Sequence, residues 1–214
     1  MTRSRPLNGA LTAGLAVTGL AAAGLAAAAA EESRPIPSFS RLQVDTAISV
    51  TLACGDEPVA QIESDPPVIA DRYLDLTVAP GPDGTGVAKL HFRRDFDRWV
   101  HPDRLRVLLT TDRPLQEVTA TTGARLTLPP CALDREEMTL QAETGARIEV
   151  SGRTASLLLT VESGGSFNAL SGGRGFVAER VRLKAGRQAR IGLCQAGSIE
   201  ILQQTDGSHI LTDC

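Results

Sequence analysis

The sequence is poor in aromatics, in histidine and in closely spaced cysteines, and each shortage removes a class of protein. Aromatic residues are 3% of the 214 positions, with one Trp and one Tyr. A core built on large rings is excluded, which leaves a narrow interior of Leu, Ile, Val and Ala. The three histidines, His91, His101 and His209, are scattered and lack metal-ligand spacing. No Cys-x-x-Cys occurs among Cys54, Cys131, Cys194 and Cys214, so neither a zinc site nor a redox pair is indicated. There is no Gly-x-Ser-x-Gly nucleophile elbow. Acidic residues such as Asp65, Asp71, Glu136 and Glu137 sit without an evident partner. The formal net charge is −3, which argues against a nucleic-acid binder. No amphipathic helix longer than about two turns is legible after residue 30. No catalytic, cofactor-binding or metal residues are therefore assigned, and an enzyme is not expected.

What is present begins with a targeting pattern. Arg3 and Arg5 precede an uncharged stretch, Leu7 to Ala30, rich in Ala, Leu and Gly and followed at once by Glu31 and Glu32. That order predicts a secretory signal peptide over residues 1–30. The competing reading is an uncleaved anchor, because the apolar stretch is long enough to cross a bilayer at about 20 residues. Either way the remainder, residues 31–214, is exported, to the periplasm or the cell surface. It is long enough for one domain.

The second half repeats. Val118-Thr-Ala-Thr-Thr-Gly-Ala-Arg-Leu126 aligns with Leu140-Gln-Ala-Glu-Thr-Gly-Ala-Arg-Ile148. Three further copies follow, centred on Gly164, Gln188 and Gly207, the last one faint. With Gly123 and Gly145, the aligned positions are spaced by 22, 19, 24 and 19 residues. Each copy holds two short pieces with period-2 alternation, the pattern of strands, and the glycine marks a turn between them. Gln188 breaks the rule, so that turn differs or Gly186 takes over the bend. Pieces this short bury a face only by stacking on neighbours, which predicts a β-solenoid. The first half, residues 38–117, shows alternating stretches but no period. Pro80-Gly-Pro-Asp-Gly-Thr-Gly86 is a strong turn signal between paired strands.

Phe39-Ser-Arg-Leu-Gln-Val, Ile48-Ser-Val-Thr-Leu, Leu105-Arg-Val-Leu-Leu and the repeated turns at Gly123, Gly145 and Gly164 together resemble the autotransporter-adhesin head domain family, also called the head GIN domain. The resemblance covers about residues 38 to 212. It implies an exported bacterial protein folded as a right-handed parallel β-helix, without catalytic residues to carry over. The expected fold class is thus all-β: a single-domain right-handed parallel β-helix with about 20-residue repeats.

Four cysteines in an exported chain suggest two disulfides, with three connectivities open. Cys194 lies six residues past Gln188 and Cys214 seven past Gly207, so solenoid geometry pairs them on adjacent coils and leaves Cys54 with Cys131. Four free buried thiols are the alternative.

Two features are candidates for contact with a ligand. The residues two past the aligned turns are Arg125, Arg147, Ser166, Arg190 and His209, which alternation points outward. Arg125, Arg147, Arg190 and His209 would form a ladder suited to anionic glycan, phosphate or lipopolysaccharide headgroups, or a plain solvated face balanced by Glu143, Glu149 and Glu162. The charged stretch around Arg98, Trp99 and His101 would contact a sugar ring or a protein, or cap the solenoid end. The functional expectation is a non-catalytic binding or structural module of the bacterial envelope, adhesin-like, recognising surface polymer, glycan or protein. The alternatives are a carbohydrate-active enzyme (polysaccharide lyase or hydrolase) and a self-assembling scaffold joined through an open strand edge at residues 202–214.

Overall fold

In the computed structural model, the described residues are 30–64, 74–81, 85–93, 105–168, 171 and 173–212. They form seventeen strands and no α-helix. The strands are β1 (Ala30–Pro35), β2 (Arg41–Val44), β3 (Ser49–Cys54), β4 (Val59–Ser64), β5 (Leu74–Pro80) and β6 (Gly86–Phe92). Then come β7 (Leu105–Thr111), β8 (Glu117–Ala120), β9 (Arg125–Leu128), β10 (Arg135–Ala142), β11 (Arg147–Val150) and β12 (Gly152–Val161). The chain ends with β13 (Ser166–Phe167), β14 (Phe176–Ala185), β15 (Arg190–Gly192), β16 (Ala196–Gln204) and β17 (His209–Leu211).

All-β is as expected; the parallel β-helix is not what is found. The strands build two mixed sheets and no closed solenoid. Sheet A runs β1-β4-β7-β3-β9-β11-β13-β15-β17, and sheet B runs β16-β14-β12-β10-β8-β2-β6-β5. The pairs β1–β4, β4–β7 and β5–β6 are antiparallel. The physical reason lies in the connections of the first half. The turn between β5 and β6 sends the chain straight back along its own sheet, and a strand that returns within its sheet pairs antiparallel.

From β8 onward, successive strands alternate between the two sheets, and neighbours within each sheet are parallel. The alternation of the sequence explains the packing. In β10 the inward Met138, Leu140 and Ala142 are buried while Thr139 and Gln141 are half-exposed. Residues in register stack into columns through the core: Leu42, Val118, Leu140, Leu159 and Leu183 are all fully buried. Each such side chain contributes about 1.5–3 kcal/mol.

The strands of sheet B reach those of sheet A through turns of constant length. Residues 45–48, 121–124, 143–146, 162–165, 186–189 and 205–208 are six connections of four residues each. The N–H of Ala124, Ala146, Gly165, Ala189 and Ser208 closes its own turn on the carbonyl three residues before. At Thr144-Gly145 both central residues have positive φ, 43° and 76°. That is a type I′ turn, which glycine enters without steric cost. Gln188 holds its turn itself, at φ 57°, and Gly186 does not replace it. The turns also bond to one another. The Gly123 N–H donates to Thr144 O at 3.0 Å, Gly145 to Ser163 O at 3.1 Å and Gly164 to Arg187 O at 2.9 Å. On the opposite side the connections vary, from a single residue between β11 and β12 to the whole excursion between β3 and β8.

A disulfide holds the irregular half to the repeats. Cys54 is disulfide-bonded to Cys131, with Cα atoms 6.4 Å apart. Cys131 sits in a 3-10 turn, Pro130–Ala132, whose backbone packs against Gly152. A Cβ on Gly152 would lie 2.6 Å from Pro130 Cα, and its φ is +124°. Cys194 is also disulfide-bonded; its expected partner, Cys214, is outside the described residues.

A polar contact braces the irregular half itself. Ser38 Oγ donates to Asp112 Oδ2 at 2.7 Å, and Arg113 donates to the same carboxylate at 3.0 and 3.1 Å. The Arg113 hydrogen bond, helped by Ser38 and opposed by burial, lowers the Asp112 pKa. A carboxyl lowered on folding stabilises above its unfolded pKa, and the gain is lost as pH falls through the folded value. Asp112→Asn should therefore cost about 1 kcal/mol at neutral pH. Thermal melts should show the gap to wild type closing below the ordinary carboxylate range; a gap independent of pH would mean the charge is not what matters.

Candidate functional site

The register assembles the predicted ladder rung by rung. Arg125 pairs with Arg147, Arg147 with Ser166, Ser166 with Arg190, and Arg190 with His209. The four basic side chains are exposed, and Ser166 is 8% exposed. Neighbouring rungs in sheet A lie about 4.8 Å apart, so Arg147 and Arg190 stand roughly 10 Å from one another across Ser166. The ladder extends further than the repeats suggested: Ser49 pairs with Arg125 on one side and Arg106 on the other. Both were missed because their strands precede the periodic region. The equivalent turn, Asp45 to Ile48, carries Ala47 at the glycine position, with φ 52°.

Small residues turn part of this ladder into a groove of about 580 Å³, lined by Gly145, Arg147, Gly164, Ser166, Gln188, Arg190, Gly207 and His209. The turn glycines and Ser166 supply a low floor, and the Arg147 and Arg190 side chains stand on either side. Arg125 and Gly123 lie one rung beyond. The lining holds no carboxylate.

Among the described residues, Arg147, Arg190 and His209 have no ion-pair partner. Glu149 accepts from Ser171 Oγ at 3.2 Å, and Glu143 takes the side-chain amide of Gln141. On sheet B two cations are paired: Arg41 with Glu117 at 3.7 Å, and Arg182 with Glu200 at 3.5 Å.

A smaller depression of about 310 Å³ lies on sheet B around Gln43, Asp45, Lys89, His91 and Thr119. There Asp45 accepts from the Thr46 N–H at 2.8 Å and from the Thr121 hydroxyl, so its acid is already engaged. His91 stands 3.7 Å from Asp75. Among the described residues, no group of three or more His, Cys, Asp or Glu side chains could hold a metal ion. Nor is any described helix long and apolar enough to cross a membrane. Arg98, Trp99 and His101, the candidate contact or capping stretch, lie outside the described residues, as does the predicted signal segment up to residue 29.

No family model matches the sequence, and no curated protein matches it. Solved structures do share its shape. A "putative adhesin" from Bacteroides fragilis NCTC 9343 is 11% identical, with a TM-score of 0.55 over 76% of this chain and 78% of that one. A "putative lipid binding protein" from Parabacteroides distasonis ATCC 8503 is 14% identical, covers 78% of this chain and 74% of that one, and has a TM-score of 0.48. A "putative adhesin" from Parabacteroides merdae ATCC 43184 is 13% identical, with a TM-score of 0.43 over 85% of this chain and 94% of that one. The protein is thus of the two-sheet, all-β class that the Bacteroides fragilis chain shares, and at this identity the likeness is one of fold.

Proposed function

We propose that this chain is an exported, non-catalytic binding module of the bacterial envelope, adhesin-like, that holds an anionic surface polymer along the Arg147–Arg190 groove. One observation carries the reading: two guanidinium groups flank a low floor whose lining includes no carboxylate. Guanidinium forks match carboxylate and phosphate groups in pairs, and the open groove suits a chain that runs across the rungs. The adhesin names of the shape-related proteins and the resemblance to head GIN domains agree with a binding role. Export is supported by the apolar segment before Glu31 and by the disulfides, which persist outside reducing compartments.

The test is titration of the purified protein with polygalacturonate and with lipopolysaccharide, which separate a carboxylate polymer from a phosphorylated headgroup. Arg125→Ala/Arg147→Ala/Arg190→Ala should weaken binding by at least about 100-fold, since each charged hydrogen bond lost is worth about 1.5–3 kcal/mol. Added salt should weaken wild-type binding as well. Failure of the wild type to bind either polymer at low salt, or equal binding by the triple variant, rejects the reading.

A further inference from the structure

The last strands of both sheets lie at the same end, and among the described residues nothing pairs with their outer edges. Strands β16 and β17 each have one neighbour, β14 and β15. Among the described residues, the large hydrophobics left exposed are Ile201 at 50%, Leu202 at 37% and Leu211 at 50%, all on these two strands. Beside β15 and β17 at this end is an opening of about 690 Å³ whose lining includes Ile191, Gly192, Ile210 and Leu211 together with Arg190 and His209. Among the described residues, the interior of the repeats is therefore open at one end.

We infer that a second copy of this chain occupies this end, joined across a twofold axis by antiparallel pairing of β16 with its counterpart. An unpaired strand edge recruits another strand unless charge, proline or a bulge blunts it. Strand β16 spans nine residues, and Glu200 is its one charged residue. Its bulge, where the register to β14 shifts between Leu183 and Lys184, lies in its second half and leaves the stretch from Ala196 to Ile201 regular.

Charge placement selects the register. An axis through Ile199 sets Glu200 opposite Ser198 of the second copy, not opposite another Glu200. Ser198 is itself in register with Arg180 of β14, so each Glu200 gains a cation one strand beyond. The same axis brings Ile199 against its counterpart and lays the two Ile201 side chains over the shared interior.

Head-to-tail stacking lacks this match. At the far end, sheet A terminates in β1, which carries Glu31, Glu32, Arg34 and Pro35, and sheet B in β5, which carries Asp75 and Pro80. A charged edge with proline is a poor acceptor of a strand.

Area sets the strength. A strand of nine residues is about 30 Å long and the two-sheet end is about 20 Å wide, so each copy covers roughly 600 Å². Stable complexes cover about 800 Å² per partner, so the dimer should be reversible, with a dissociation constant of micromolar order.

Sedimentation of the purified protein across concentrations from about 1 to 300 μM tests this, a range that brackets such a constant. Wild type should shift from monomer to dimer and stop there. Ile201→Lys, and separately Leu202→Lys, should stay monomeric with unchanged circular dichroism and melting. Ile199→Cys should yield a disulfide-linked dimer under air, and Asp206→Cys on the adjoining turn should not. A wild type monomeric throughout, a growing series of larger species, or lysine variants that still dimerise would each overturn the inference. Arg125→Ala/Arg147→Ala, which leaves the lining of the opening intact, should dimerise as wild type does, so the end contact and the groove fail or succeed independently.

Discussion

Replacing Cys54 and Cys131 together with serine should lower the unfolding free energy by about 4 kcal/mol, the chain-entropy value for a long closed loop. The bond spans 77 residues and encloses the whole non-repetitive excursion, from the end of β3 to the turn after β9. Without it the unfolded chain regains the freedom of that loop, while the folded protein keeps most of its contacts. The turn that carries Cys131 remains pressed against Gly152, and the Leu115 N–H still donates to Ala132 O at 2.9 Å. The loss should therefore act mainly through the unfolded state. Urea unfolding followed by circular dichroism should show a lower midpoint and a steeper slope, because the freed chain exposes more surface. A change below about 1 kcal/mol would mean that the unfolded loop is already constrained by other means.

Phe167→Ala should cost about 3–5 kcal/mol, the range for removing a buried aromatic side chain. Phe167 is fully buried and meets Phe176 edge-to-face, with centroids 5.5 Å apart and rings 82° from parallel. Its strand, β13, is two residues long, so this rung has little backbone pairing to fall back on. The next residue shows how tightly the site is used. Asn168 turns out of the strand at φ 47°, and its Oδ1 accepts the Val150 N–H at 2.7 Å. A side chain there does the work of the missing backbone carbonyl. Phe167→Leu keeps most of the volume and should cost less than about 2 kcal/mol. Denaturant midpoints of the two variants separate the cases: equal losses would mean that the volume at this rung is not what stabilises it.

The repeat half was legible because one residue type marks one backbone demand. The spacings of Gly123, Gly145, Gly164, Gln188 and Gly207 are the strand offsets themselves, and the Arg125-to-His209 ladder follows from them. Where the mark is absent, the reading stops. Ala47 occupies the equivalent turn near the start, and the excursion between β3 and β8 hides its relation to Gly123. In the first half the direction of pairing was not legible. A strand such as β4 alternates buried and exposed residues in the same way whether its neighbour runs parallel or antiparallel. The bulge in β16 was also invisible: Leu202 aligns with Leu183 in sequence, but Ile201 is the residue that faces it.

The six four-residue turns divide the molecule into a margin that cannot change length and a margin that can. The turns from Ala47 to Arg187 are each bonded to the next, so one added residue in any of the middle ones would break two sets of bonds and move the arginines off their rungs. Connections on the far side already range from one residue to a whole excursion with strands of its own. New segments can therefore enter at Ser151 or between Gly192 and Ala196 without disturbing the spacing of the cations. Recognition and enlargement are assigned to opposite borders, and this protein can acquire loops, or be given them by design, while its charged border keeps its pitch.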